Sequence, residues 1–206
     1  MSLYTLPNPN GLDYYTEAMI ARLYTYLITR WGVTSDTYNC FGRVSRNKTE
    51  DGYIPEYHVL SSNNYMSGRA SNKGGLFFDD TLAALSYIGE VDPMRKNSER
   101  DDVTRLELLF FVDLSRITPA GLTTEQQGGQ RLDEVAINDV KNFVQNNGCG
   151  LVVVDTIRDV DKVIERYSGA AKKSTLSENM HPRFCFKLIL EIAYNPQINV
   201  PFYPNL

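Results

Sequence analysis

Residues 104–114, TRLELLFFVDL, alternate almost without a break. Leu106, Leu108, Phe110, Val112 and Leu114 fall on one face of an extended chain. Arg105, Glu107 and Asp113 fall on the other, with Leu109 and Phe111 between them. Residues 184–194 repeat the design: Phe184, Phe186, Leu188, Leu190, Ile192 and Tyr194 alternate with Cys185, Lys187, Ile189, Glu191 and Ala193. Two long strands, each with one apolar and one mixed face, predict an antiparallel sheet with helices packed on one face. The mixed faces are then a surface for partner contacts.

A helical period of about 3.6 residues governs other stretches. In 12–31, LDYYTEAMIARLYTYLITRW, one stripe runs through Leu12, Tyr15, Met19, Leu23, Tyr26 and Leu27. A second stripe, Ile20, Tyr24, Ile28 and Trp31, lies beside it. Asp13 is placed to accept first-turn amides and Gly32 to stop the helix. So wide an apolar surface fits a helix wedged between a sheet and a loop, or one shared between its own core and a neighbouring subunit. Residues 132–146 carry a single stripe (Leu132, Val135, Ala136, Val140, Phe143, Val144) and end at Asn147-Gly148. GLVVVDT reads as a short strand. In 157–167, Val160, Val163, Ile164 and Tyr167 predict another helix, with Thr156 and Asp159 as a capping box.

YNCFGRVSRN and GYIPEYHVL predict two paired strands around the turn KTEDG, the second an edge or interrupted strand because of Pro55. LFFDDTLAALSYIG predicts short strand pieces, its second half open to helix. SSNNYMSGRASNKGG, MRKNSERDD and SGAAKKSTLSENMHP read as polar loops.

The ends differ from the body. Pro7 and Pro9 mark the first eleven residues, and Pro196, Pro201 and Pro204 the last, NPQINVPFYPNL. Proline lacks a backbone donor and fixes φ, so neither end predicts a helix or a central strand. The organisation is an N-terminal arm over 1–11, one α+β domain over 12–195 and a C-terminal arm over 196–206. Leu3, Tyr4 and Leu6, with Ile198, Val200, Phe202 and Tyr203, need cover. Together with Tyr24, Ile28 and Trp31 of the first helix they form the expected subunit interface.

Composition narrows the function. The 206 residues carry a net charge of −4, which argues against a nucleic-acid binder that neutralises phosphates through a basic patch. No apolar run reaches the ~20 residues that span a bilayer, and MSLYTLPNPNG lacks the build of a signal peptide. Three distant cysteines (Cys40, Cys149, Cys185) argue for a reducing compartment rather than a disulfide framework.

Catalytic motifs are sparse. With His58 and His181, the cysteines show no CxxC or HxxxH spacing for a metal. Neither GxSxG, GxxxxGK[ST] nor GxGxxG occurs, and GRASNKGG leads into no helix that would present its N-terminus to a phosphate. Asp79 and Asp80 point to opposite faces of a strand, while Asp113 and Asp155 meet only if their strands are neighbours. Arg43, Tyr53, Tyr57 and Glu107 have the residue types of an NAD-cleaving ADP-ribosyltransferase site, which is the enzymatic alternative.

GRVSRN, DGYIPEYHV, LFFDDTLAALSYIG, LELLFFVDLSRITP and RLDEVAINDVKNFV carry a resemblance. Over roughly residues 12–145 the chain resembles structural proteins of tailed bacteriophages, the crAss-like Bacteroides type. It is also similar to tail-terminator and tail-completion proteins. The resemblance implies a small α+β protomer in a homo-oligomeric ring of the neck, holding portal and tail together around the DNA channel. It implies a virion protein made in the host cytoplasm. Its expected partners are copies of itself, the portal and other neck or tail proteins, and viral DNA that passes without specific binding; no membrane, cofactor, metal or catalytic residue is expected. A negative charge suits a lumen that DNA must cross without sticking.

Overall fold

The computed structural model describes residues 3–6, 9, 11–50, 52–59, 64–67, 76, 81–91, 95–96, 102–121, 131–147, 150–168 and 182–194. Strand β8 (Asp102–Asp113) and strand β10 (Arg183–Tyr194) are the two alternating stretches, paired antiparallel from Arg183↔Asp113 to Tyr194↔Asp102. That register sets Leu188 opposite Leu108 and Phe186 opposite Phe110, whose rings stack 5.1 Å apart at 7°. Slipping either strand by one residue would turn these side chains to the other face.

Around this pair the sheet grows in both directions. Strands β1 (Leu3–Tyr4), β2 (Tyr38–Arg43) and β6 (Ala84–Glu90) lie on one side and β9 (Val152–Ile157) on the other, in the order β1-β2-β6-β8-β10-β9. A short β7 (Arg95–Lys96) also pairs with β8. The architecture is α+β, as expected, but the sheet is mixed rather than antiparallel: β1 with β2 and β2 with β6 are parallel. Parallel neighbours need a long crossover. Here it contains a separate three-stranded antiparallel sheet of β3 (Ser45–Thr49), β4 (Gly52–Val59) and β5 (Asn64–Ser67).

The stretch YNCFGRVSRN is therefore two strands that break at Val44. Its first half joins the main sheet and its second pairs with β4, Arg46 opposite Pro55. Strand β4 is the central strand of this small sheet rather than an edge, and among the described residues its ladder with β5 starts one residue after Pro55, at Glu56.

Helices α1 (Gly11–Trp31) and α2 (Leu132–Asn147) cover one face of the main sheet. Gly32, at φ +63°, ends α1 in the left-handed region where a side chain would be strained. The other face is covered too, which corrects the expectation of helices on one face and of an open mixed surface. Tyr57 of β4, Val163 of the short helix α3 (Val160–Ile164) and Tyr167 of the following 3₁₀ turn (Glu165–Tyr167) bury Tyr87, Leu109, Phe111 and Cys185 there. The N-cap of α3 is Asp159, which accepts from the Asp161 amide at 3.2 Å; Thr156, its expected partner in a capping box, lies in β9.

Among the described residues no helix is long and apolar enough to cross a membrane.

Candidate functional site

The first helix turns both of its stripes inward. Trp31 is fully buried, and its indole N–H donates to Asp139 Oδ2 of α2 at 3.1 Å. Tyr24 is buried against Tyr38, ring centroids 5.3 Å apart. Ile28 is half-buried and packs on the same core. The segment after β8 closes over the end of α1, where the Thr118 and Ala120 amides donate to the Trp31 and Arg30 carbonyls, each at 2.7 Å. Tyr24 and Trp31 thus have no surface left for a neighbouring subunit. The wide apolar surface is explained by a sheet, a second helix and a loop of the same chain.

The N-terminal arm also lies on its own chain. Leu3 pairs with Cys40 and Tyr4 with Phe41, and the Tyr4 ring stacks on Phe41 at 4.4 Å and 6°. Leu6 is half-buried beside them. Ile198, Val200, Phe202 and Tyr203 of the C-terminal arm lie outside the described residues.

At the opposite side of the sheet, β9 presents an apolar edge. It pairs with β10 alone, and no described strand lies beyond it. The register slips between Ile189 and Leu190: Asp155 sits opposite Ile189, Val153 opposite Leu190, and Val154 opposite nothing. A bulge of this kind re-aims the extra side chain. Val152 is 60% exposed and Val154 48%, large apolar groups in water on a strand whose outer backbone groups have no described partner.

A second feature gathers where the N-terminus of α1 meets the ends of β2 and β6. Leu6, Asp13, Arg43, Val44, Ser45, Tyr57 and Glu90 line a cleft of about 310 Å³. Arg43 Nε donates to Asp13 Oδ1 at 2.6 Å and Nη2 to Oδ2 at 3.0 Å, while Nη1 donates to Glu90 Oε2 at 3.1 Å. Tyr57 is 3% exposed, and its hydroxyl has no hydrogen-bond partner among the described residues. Behind the cleft lies Glu17, 1% exposed, with neither carboxyl oxygen completing a hydrogen bond among the described residues. Burial, reinforced by the Asp13 charge one turn away, pushes the Glu17 carboxyl up to about 8; the amides of Leu6 and Arg43 pull it back in part. Gly42 makes room for this carboxyl, since a Cβ there would overlap Glu17 Oε1.

No protein-family model, curated protein or solved structure matches this chain.

The residues of the NAD-site alternative are only partly brought together. Arg43 and Tyr57 share the cleft. Tyr53 instead lies under the Arg46 guanidinium, 4.1 Å from its ring centroid. Glu107 does not line the cleft: it is fully buried on the second face, where Lys187 Nζ approaches at 3.2 Å and Arg166 Nε at 3.4 Å. Burial raises its carboxyl above the ordinary range, and both cations oppose that rise.

Asp113 and Asp155 do not meet. They sit opposite Arg183 and Ile189, six residues apart along β10 or about 20 Å at the usual strand rise. Asp113 instead accepts the Ser115 amide and hydroxyl, at 3.0 and 2.6 Å, as a turn former. Cys40 and Cys185 are buried free thiols, pushed up by burial to about 11 and about 12.

Glu17, Glu90 and Lys187 were not anticipated at either cluster. A signal for Glu17 exists: Asp13, Glu17, Ile20, Tyr24, Ile28 and Trp31 follow one helical line. Two acids continuing an apolar stripe mark a buried polar end.

Proposed function

We propose that this protein is a structural subunit that joins copies of itself edge to edge, as a ring in the neck of a tailed bacteriophage. The observation that supports this reading most is the β9 edge. A strand whose outer backbone groups have no partner among the described residues, with Val152 and Val154 exposed, is a template for another chain. A head-to-tail contact that closes on itself generates a ring. The resemblance in GYIPEY and FFVDLSRI points to the neck, and the net charge of −4 suits a channel for DNA.

The C-terminal arm, with Phe202 and Tyr203, is a second contact in this reading. Burying each ring on a neighbour contributes at most ~2 kcal/mol, multiplied around the ring. The N-terminal arm is not needed for the contact.

Native mass spectrometry and sedimentation velocity test the proposal, on the full chain alone and with its portal or tail neighbours. The expected result is a closed oligomer that Val152→Asp with Val154→Lys reduces to folded monomers, as judged by circular dichroism. A chain that stays monomeric in every mixture, or rings untouched by the double variant, overturns it.

A further inference from the structure

The cleft between α1 and the ends of β2 and β6 has a charge balance and an orphaned group that edge-to-edge assembly does not use. Two carboxylates, Asp13 and Glu90, stand against one guanidinium, which leaves one negative charge. Arg43 already donates to both acids, so it holds little attraction for an anion. The carboxylates keep outward lone pairs that can accept further donors. Tyr57 is the independent observation: the residue lines the cleft and is 3% exposed, and its hydroxyl oxygen is buried without a partner among the described residues. Native proteins seldom bury such a group unsatisfied.

We infer that this cleft binds an organic cation, an ammonium or guanidinium group, seated between Asp13, Glu90 and the Tyr57 hydroxyl. Charge and shape decide the class. A compact divalent ion between the two acids would meet the Arg43 charge at close range. A diffuse organic cation can donate to the outer carboxylate lone pairs and to the Tyr57 oxygen. Leu6 and Val44 offer apolar walls for its carbon chain. At about 310 Å³ the space is at the small end of ligand clefts, which run ~300–1,000 Å³.

Binding is coupled to a proton. Glu17 faces Asp13 on its own helix, Arg43 and Cys40 on β2 and Tyr57 on β4, so its protonation responds to charge in the cleft. With its carboxyl held up to about 8, Glu17 carries a proton at neutral pH, and an arriving cation favours its release.

Isothermal titration calorimetry on the full chain near pH 7 tests the inference. The probes are agmatine, a free organic cation, and acetyl-Gly-Arg-Gly-amide, which presents the same group as a protein side chain. Saturable binding of either supports the site. Tighter agmatine binding assigns it to a free amine, and tighter peptide binding to a side chain of another protein. Tyr57→Phe keeps the ring and should weaken binding by about tenfold. Heats in buffers of different ionisation enthalpy should show proton release that Glu17→Gln abolishes while binding persists. No saturable heat from either probe up to ~10 mM overturns the inference, as does binding unchanged in Tyr57→Phe or proton release unchanged in Glu17→Gln. The cleft and the β9 edge lie on opposite sides of the sheet, so this outcome and that of the ring experiment are independent.

Discussion

Lys187 Nζ lies 3.2 Å from Glu107 Oε2, and the two side chains are 2% and 0% exposed. They stand on neighbouring strands, Lys187 opposite Leu109 and Ile189 opposite Glu107, so the pair is a diagonal across the second face of the sheet. Arg166 and Glu165 complete the cluster: Arg166 donates to the Glu90 and Val91 carbonyls at 2.6 and 2.9 Å while approaching Glu107 at 3.4 Å, and Glu165 Oε1 lies 3.5 Å from Lys187 Nζ. Removing one member of a buried pair is far more damaging than removing both. Lys187→Met should destabilise the fold by about 3–5 kcal/mol, less whatever Arg166 offsets. Lys187→Met with Glu107→Leu should recover most of that loss in urea unfolding. A double variant no better than the single would show that the ions do not act as a pair.

Asp139 is the corresponding anchor on the first face. It accepts from Trp31 Nε1 at 3.1 Å and, with both oxygens, from Arg30 Nε at 3.0 Å, tying α2 to the end of α1. Asp139→Ala leaves a buried indole N–H without an acceptor. That loss costs about 1–3 kcal/mol. Thermal unfolding should detect it, and Trp31 fluorescence, the only indole signal in the chain, should report the local change.

Much of the main sheet was legible because β8 and β10 keep period-two alternation along their whole length, and α1 and α2 show clear stripes. The break at Val44 was not, because neither glycine nor proline stands there and both halves are extended. Parallel pairing of β2 with β6 is a tertiary choice that no local pattern encodes. The second face misled for a physical reason: Leu109 and Phe111 among charges look like a partner surface, but β4, α3 and the 3₁₀ turn of the same chain cover them. Arg43 and Tyr57 stood out by residue type. Their neighbours Asp13, Glu17 and Glu90 did not, since acids near helix and strand ends usually serve as caps or solvated groups.

The end of α1 gives a backbone prediction. At Gly32, a Cβ would lie 3.3 Å from the Thr118 carbonyl oxygen, and φ is +63°. Gly32→Ala therefore adds left-handed strain to a close approach of backbone. A loss of about 1–2 kcal/mol is expected, measured as a lower urea midpoint with an unchanged slope. An unchanged midpoint would mean that the turn relaxes without strain.

Glu17 gives a dependence on pH with a definite sign. Its carboxyl is raised from 4.5 to about 8 in the fold, so the folded state holds a proton that the unfolded chain releases. The stabilising contribution of the neutral form is complete below about 4.5 and is lost progressively as pH rises toward about 8. At one pKa unit per ~1.4 kcal/mol, the full swing is on the order of a few kcal/mol. Glu17→Gln keeps the shape and removes the titration. Its stability relative to the native chain should rise with pH across this window and level off above it, because glutamine never has to carry a buried charge. Urea unfolding of both proteins from pH 5 to pH 9 gives the difference directly. Parallel curves would place the Glu17 carboxyl in contact with water, with its titration unshifted by the fold.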